Sequence, residues 1–523
     1  MDYDDPLFPP AASRRATTLE RRRRREVLAC ASGVSFMIML DANIVAVSLP
    51  AIASHLHSAF TGVEWVVSAY ILAFVACLMP AGAFADRFGR RRMLVAGLVV
   101  FSAASMLCGL APSILALNLG RALQGVGAAL QLSAALAVLG HEFQGAERAR
   151  AFAIWGVVIG AAATSGPIVG GLITSTFGWP WAFLINAPIG VLLIALARRS
   201  VTESRDPLHA RLDLPGALTL ALSLCALSAG VIEGGSAGFG SRAVVGLLGA
   251  GALLLAAFVA IEAREARPMV DLRLFRNPAF VGASIAMLAY AASAYVMATW
   301  LPLYLQAAFF PNPARTGLAL LPFSVPLLLG PYAGAALARR LSGRGTLATG
   351  LAVVALGDGL TAAVAPYENY LLVALGMAVL GTGAGLLNGE TARVSMQTVP
   401  VERAGMASGL ASTFRFVGLL AGLTGLGAVL VTGIGAHLTQ WSAQLPSPGR
   451  LAIRDIAHHA AAGGLADWLA ARVPDRALAP WLDAAREGFI AAFAKLMAVA
   501  AAVAAGAAVL VFVLLRRVAR PTA

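Results

Sequence analysis

Long runs of apolar residues dominate the chain and alternate with short polar segments. Fourteen of these runs are long enough for an α-helix to cross a bilayer, which takes about 20 residues. The pattern therefore predicts an all-α membrane protein with 14 transmembrane helices. The predicted spans cover residues 27–50, 63–84, 93–112, 113–139, 150–174, 181–197, 213–234, 243–263, 279–306, 316–340, 346–365, 369–391, 404–434 and 488–516.

Basic residues are distributed unevenly between the two sides that this pattern defines. Residues 1–26 are polar and end in the block ERRRRRE, directly before the first span. Such a block suits a solvated tail or a nucleic-acid contact, but here it favours a cytoplasmic anchor, because cytoplasmic loops are rich in Lys and Arg. With the N-terminus inside, the short external loops hold only Arg242 and Arg315 of the 39 basic residues. We expect an inner-membrane protein with both termini cytoplasmic and no nucleic-acid partner.

The composition also indicates a membrane protein, and the residues present restrict which energy source it could use. Hydrophobic residues make up 59% of the chain, charged residues make up 12%, and the mean hydropathy is +0.79. The only lysine is Lys495, which fits no nucleotide-binding P-loop, and we find no metal-ligand spacing. We therefore expect no cofactor and no metal. A proton moving down ~100 mV releases ~2.3 kcal/mol, whereas a tenfold solute gradient costs ~1.4 kcal/mol. Protons can thus serve as the coupling ion.

The first six spans and the last six spans resemble each other in layout, which predicts a repeat architecture. GAFADRFGRRRML (82–94) follows the second span, and the weaker GAALARRLSGRG (334–345) follows the tenth. Internal repeats of this kind are typical of transporters. We predict five regions: a cytoplasmic tail 1–26, a six-helix bundle 27–197, a linking region 198–278 with two extra helices, a six-helix bundle 279–516 with an external loop 435–487, and a tail 517–523.

The segment between spans two and three carries a motif. Glycines permit a tight crossing at the helix ends, and one acid lies among several arginines. An anchor on the cytoplasmic side explains the arginines but not the Gly-Asp-Gly spacing. The segment closely resembles the G-x-L-A-D-R-x-G-R-[RK] signature of the major facilitator superfamily, which implies a conformational switch. The matching residues are Gly82, Asp86, Arg87, Gly89 and Arg90.

Further segments resemble the fourteen-span drug:proton antiporters within that superfamily. LDANIVAVSLP (40–50) is similar to the first-span motif LDxTIVNVALP, from which Asn43, Ala46 and Ser48 depart. LNLGRALQGVGAAL (117–130), WAFLINAPIG (181–190) and ERAGMASGLASTFR (402–415) also match. GVVIGAAATSGPIVGG (156–171) resembles the fifth-span antiporter motif, whose residues here are Gly160, Gly166, Pro167, Gly170 and Gly171. Plain helix packing would also explain its G-x-x-x-G pairs, which include Gly156.

The resemblance implies two six-helix bundles, two linking helices and alternating access. It also implies efflux of amphipathic or toxic small molecules in exchange for protons, and no enzymatic activity. The alternatives are a proton-coupled importer of a nutrient or siderophore, against which the fifth-span Gly-Pro motif argues, and a membrane sensor or channel without coupled transport. The expected partners are the small-molecule substrate and the lipid bilayer. In a Gram-negative cell a periplasmic adaptor protein is a further candidate.

Acidic residues inside apolar spans are the candidate coupling sites, because a buried charge is costly in lipid. By helix rise, Asp41 and Arg121 lie ~13 and ~12 Å from the external side, so the two can meet. Either they form a structural ion pair, or Asp41 alternates between protonated and charged forms. Asp358 lies ~10 Å deep on the eleventh span. It either reaches toward the external interface or acts as a second acid.

Several other side chains are candidates for a substrate cavity. Aromatic rings can bind apolar cations, although a packing or lipid-facing role suits each ring alone. Glu64 and Glu233 lie at predicted external ends, where a gate or surface role is expected. The candidate cavity residues are Asn43, Tyr70, Gln124, Trp155, Trp300 and Phe414.

Overall fold

The computed structural model describes residues 11–205, 213–265, 268, 270, 272–397, 404–442 and 451–515. In these ranges, 14 helical segments are long and apolar enough to cross a membrane. This confirms the predicted number of spans and the all-α class. Several helices begin at a side chain that accepts a hydrogen bond from a free backbone N–H of the first turn, as helix N-termini require. These N-cap residues are Ser113, Asp213, Ser241, Asn277, Asn312, Ser342 and Asn369.

The first half of the protein contains six spans. Within it α1 packs on α5, α4 packs on both α2 and α3, and α7 packs on α3. Two short-linked helices, α6 and α7, together form its sixth span. The helices are α1 (Ala11–His55), α2 (Phe60–Phe88), α3 (Arg90–Gly109), α4 (Ile114–Glu142), α5 (Gly145–Phe177), α6 (Pro180–Leu184) and α7 (Asn186–Ser200).

Two helices link the halves: α8 (Leu214–Ala237) and α9 (Arg242–Arg264). They pack against each other as a hairpin, and α8 also contacts α2 of the first half.

The second half begins with a span that contains a π-helical segment at Ala291–Tyr295, between two α-helices. The same half ends with two long helices that pack on each other. Its helices are α10 (Pro278–Tyr290), α11 (Met297–Ala308), α12 (Pro313–Ala319), α13 (Leu321–Arg340), α14 (Gly343–Val364), α15 (Tyr370–Leu387), α16 (Glu390–Gln397), α17 (Ala404–Trp441), α18 (Ile453–Ala462), α19 (Leu465–Ala470) and α20 (Asp475–Leu514). The linking helix α8 contacts α17 as well as α2, so it bridges the two halves.

The short helices α18 and α19 cover one end of the bundle, which we call the capped face. Asp467 accepts a hydrogen bond from Ser54 near the end of α1, and Gly463 packs against Pro50. The opposite end, which carries the turn between α2 and α3, is called the signature face. The loop on the capped face is shorter than the predicted 435–487, because α17 continues to Trp441 and α20 begins at Asp475. The tail predicted at 1–26 is helical from Ala11.

The two halves contact each other along a seam from mid-depth to the capped face. At mid-depth, the Tyr295 hydroxyl lies 3.1 Å from the Met39 sulfur. Nearer the capped face, the side-chain amide of Gln306 donates to the Val47 carbonyl at 3.0 Å. These contacts hold α1 of the first half against α11 and the π-helical segment of the second half. The seam is therefore closed at the capped face in this conformation.

Candidate functional site

Asp41 of α1 and Arg121 of α4 form an ion pair inside the first half. The guanidinium Nη1 lies 2.7 Å from the carboxylate Oδ2, and the side chains are 0% and 1% exposed. The structure therefore confirms that the two residues meet, as their similar calculated depths allowed. Because α1 and α4 are the first and fourth spans, the ion pair joins two separate spans at one depth in the bundle.

Two amides complete the surroundings of the Asp41 carboxylate. Gln124 Nε2 and Asn186 Nδ2 both donate to Oδ1, at 2.8 and 2.7 Å. The hydroxyl of Ser105 accepts from both amides and donates to the Phe183 carbonyl at 2.8 Å. Gln124 was predicted to line a substrate cavity, but here it is buried and holds the Asp41 carboxylate. Sequence reasoning missed Asn186 and Ser105. Asn186 lies inside the matched segment WAFLINAPIG, so its position was available. Ser105 lies in a span that carried no motif.

Arg121 is held by more than its carboxylate partner. Its Nε donates to the Val66 carbonyl at 2.9 Å, and its Cζ lies 4.1 Å from the centre of the Tyr70 ring. A guanidinium over an aromatic face is a favourable cation–π arrangement. Tyr70 was predicted to line a substrate cavity. In the structure it is buried against Arg121 instead, so it supports the ion pair.

The geometry links the protonation of Asp41 to the positions of four helices. The carboxylate accepts hydrogen bonds from Arg121, Gln124 and Asn186, and a carboxylate can only accept. A proton on Oδ1 would compete with the two amides that donate there, since a protonated carboxyl must itself donate. Proton uptake would therefore disturb contacts that join α1, α4 and α7, with α3 connected through Ser105.

Asp358 of α14 is buried in the second half and is 0% exposed. Neither carboxylate oxygen has a hydrogen-bond partner among the described residues. The alternative in which Asp358 reaches toward the external interface is therefore wrong in this conformation. An ionised carboxylate without a partner is costly in such surroundings, whereas a neutral acid is tolerated. The position suits an acid that binds and releases a proton.

The glycines of α5 allow this helix to pack closely on α1 of its own half and on the second half. An added Cβ at Gly166 would lie 2.5 Å from the Asn43 Cβ, and one at Gly170 would lie 2.7 Å from the Ile44 Cα. Both neighbours belong to α1 of the first half. Glycines at these positions let two helix backbones come together, as in other membrane helix pairs.

The same helix contacts the second half across the seam. Gly171 packs on the backbone of Pro313, the Pro167 carbonyl lies against Gly317, and a Cβ at Gly160 would lie 2.7 Å from Leu328 Cδ1. Gly156 was predicted to pair with Gly160 in close packing. No heavy atom lies within 4 Å of an added Cβ at Gly156, so that part of the prediction is wrong.

The signature turn joins α2 and α3 through Gly89, whose φ of +114° favours glycine. Asp86 near the end of α2 accepts a hydrogen bond at 2.8 Å from Arg90, the first residue of α3. Glu203, which follows α7, accepts from the Arg91 backbone N–H at 3.2 Å and was not identified from sequence. The predicted tight crossing at Gly82 is not observed, because a Cβ there would have no neighbour within 4 Å. Arg87 points over the Phe88 ring at 5.4 Å.

We expect Asp86→Asn to leave insertion intact and to lower the transport rate severalfold. Removing the charge abolishes the ion pair with Arg90 and changes the relative stability of the conformations that the turn connects. Initial rates in proteoliposomes measure the effect. A matched control is Glu147→Gln on the same face, which removes the ion pair with Arg24. Wild-type kinetics in Asp86→Asn would show that the turn has no switching role.

The remaining cavity candidates do not share one pocket. Asn43 lines a cavity of about 20 Å³ at the seam, together with Pro167 and Tyr295. Trp155 donates to the Ser35 hydroxyl at 2.8 Å inside the first half. Phe414 lies in a separate apolar groove of about 430 Å³ along α10 and α20. The prediction of a single aromatic pocket is therefore wrong in this conformation.

Trp300 also lies apart from these three residues. It is buried near the capped face, where its ring stacks on Phe60 at 6.0 Å between centroids.

Comparison with known proteins identifies the family. The model of the Major Facilitator Superfamily matches residues 31–423, so the chain belongs to this superfamily. The chain is 36% identical over 405 residues to the multidrug resistance protein Stp of Mycobacterium tuberculosis, covering 77% of this chain and 75% of that protein. It is 36% identical over 427 residues to the cephamycin export protein CmcT of Amycolatopsis lactamdurans, covering 80% and 87%.

Solved structures share the fold at low sequence identity. A bacterial homologue of the human lysosomal transporter Spinster superposes with a TM-score of 0.63 at 16% identity, covering 95% of this chain and 98% of that chain. A peptide transporter of the POT family superposes with the same TM-score, covering 95% and 97%. These likenesses confirm the architecture predicted from the span pattern and the motifs.

Proposed function

We propose that the protein is a proton-coupled antiporter that exports amphipathic or toxic small molecules from the cytoplasm. The buried ion pair of Asp41 and Arg121 carries the proposal, because it places a titratable group where it joins separate helices of a transporter fold. The relatives named for multidrug resistance and cephamycin export support efflux as the direction of transport. The protein would lie in the cytoplasmic membrane, with the signature face inside and the capped face outside.

The proposed cycle alternates between two closures of the seam. In the conformation described here, contacts such as that of Gln306 with Val47 close the capped face. Substrate would enter from the signature face and leave after the capped face opens. Protons taken up outside would return through Asp41, with Asp358 as a second acid. Gly160, Pro167 and Gly171 of α5 contact the second half and would allow the halves to move while they remain closely packed.

A measurement of proton release during substrate export tests this function directly. Inside-out vesicles containing the protein should release protons from their lumen when substrate is supplied, and a proton ionophore should abolish substrate accumulation. An importer would move substrate and proton in the same direction. A sensor or channel would show no linked flux. A substrate response without linked proton movement would therefore contradict the proposal.

A further inference from the structure

Glu64 is a buried acid outside the network of Asp41. It lies on α2, four residues after Phe60 begins the helix, and therefore close to the capped face. Its side chain is only 5% exposed, and its Oε1 has no hydrogen-bond partner among the described residues. Of the two roles expected for Glu64, the surface role is therefore wrong in this conformation, and the gate role stays a prediction. A buried carboxyl that lacks a partner requires an explanation, because buried polar groups are normally hydrogen-bonded.

The carboxyl lies at the seam, where both halves and the cap meet. A Cβ added at Gly427 of α17 would lie 2.8 Å from Glu64 Oε1. The surrounding cavity is about 10 Å³, which is about the space of one water molecule. Its walls come from both halves and from the cap, including Leu49 of α1, Thr299 and Trp300 of α11, Leu423 of α17 and Ala461 of α18. Closure of the capped face thus encloses this carboxyl.

The walls of the cavity contain no Lys, Arg or His among the described residues. His458 precedes Ala461 by one turn on α18, and His459 stacks on Trp468 at 4.2 Å. Burial lowers the pKa of His458, and burial lowers that of His459 to about 4. The charged groups around these histidines are Glu233, Arg454, Asp455 and Arg472. Both histidines are therefore neutral above about pH 7, and neither supplies a positive charge beside Glu64.

We propose that Glu64 is a further proton-binding site, separate from Asp41 and Asp358, and that its protonation allows the two halves to close at the capped face. An ionised Glu64 would be sealed in an apolar seam without a partner, which is unfavourable. Opening the seam hydrates the carboxyl and releases one proton, and closing it takes one proton up. The inference deepens the proposed antiport, since proton uptake from outside would then precede the return of the empty carrier.

Distance measurements between spin labels on the two halves test this inference. Labels at His57 and Tyr367 would lie on exposed positions of the capped face, one in each half, in a background without the four natural cysteines. In detergent, without substrate or gradient, the wild-type distance should lengthen as the pH is raised above 7. Once Glu64 titrates, the open-to-closed ratio should rise roughly tenfold per pH unit, because one proton is released. Glu64→Gln, which cannot ionise, should stay closed throughout.

A control variant separates this site from other acids near the same face. Glu487→Gln removes an exposed acid there and should respond to pH like the wild type. The distances are measured without substrate or a proton gradient, so the outcome does not depend on whether the protein is an antiporter. A pH response that persists in Glu64→Gln, or is lost in Glu487→Gln, would overturn the assignment, as would a wild-type distance that ignores pH.

Discussion

Asp41→Asn is expected to abolish proton-driven accumulation while the protein still inserts and exchanges substrate passively. Asparagine preserves the size and polarity of the side chain but cannot carry a proton, and its amide nitrogen donates where the carboxylate accepted. One proton at ~100 mV can sustain a concentration ratio of roughly fiftyfold for a neutral substrate, and this ratio should fall to about one in the variant. Uphill uptake into inside-out vesicles gives the ratio. Downhill exchange in the same vesicles reports whether the carrier still moves.

Asp41→Asn is also expected to lower the stability of the protein, because Asp41 is the partner of a buried arginine. Loss of the carboxylate leaves Arg121 without its counter-charge, and breaking such a pair costs about 3–5 kcal/mol in soluble proteins. Retained contacts of Arg121 with the Val66 carbonyl and the Tyr70 ring should offset part of this cost. Gel filtration in detergent must therefore show a monodisperse variant before its transport is interpreted.

The conservative variant separates coupling from structure. Asp41→Glu keeps a titratable group but adds a methylene to a fully enclosed site, so partial activity with a shifted pH optimum is expected. A purely structural ion pair would lower stability in both variants without shifting the pH profile. Uphill transport at the wild-type rate by Asp41→Asn would remove Asp41 as the coupling site, and Asp358 would be examined next.

The span pattern and the rise per residue of an α-helix predicted both the number of spans and one contact of the candidate site. The 14 spans follow from apolar length, and the meeting of Asp41 with Arg121 follows from equal depth. Depth alone does not give the rotation of a helix about its axis. For that reason Ser105 of α3 was missed, and the four aromatic candidates were grouped although they face different neighbours.

Identical local patterns can also have different surroundings, which sequence spacing does not reveal. Gly156 and Gly160 form the same G-x-x-x-G pattern as Gly166 and Gly170, yet Gly156 has open space around it. Glu64 was placed at a helix end, where a surface position is expected. Its burial depends on α18, which lies almost 400 residues later in the chain and folds back over the seam. Such long-range packing has no local signal.

Gly166→Leu is expected to reduce transport to background while the protein still inserts. The new side chain would begin 2.5 Å from Asn43 Cβ, so α5 must move away from α1. Because the adjacent Pro167 carbonyl lies against Gly317, that movement presses α5 into the seam and prevents the halves from sliding past each other. Overpacking of this kind costs about 1–3 kcal/mol in protein cores. Initial export rates, normalised to the amount of folded protein, measure the effect.

The same helix offers a matched control. Gly156→Leu introduces the same residue on α5 at a position without neighbours within 4 Å, so we expect near-normal export. The pair thus distinguishes a packing effect from a general loss of glycine flexibility. Gly166→Ala, with a smaller side chain, should give an intermediate rate and covers the case in which the leucine variant fails to fold. If Gly156→Leu and Gly166→Leu lost activity equally, helix flexibility would matter rather than close packing. Normal export by Gly166→Leu would instead mean that α5 does not shape the moving interface at this position.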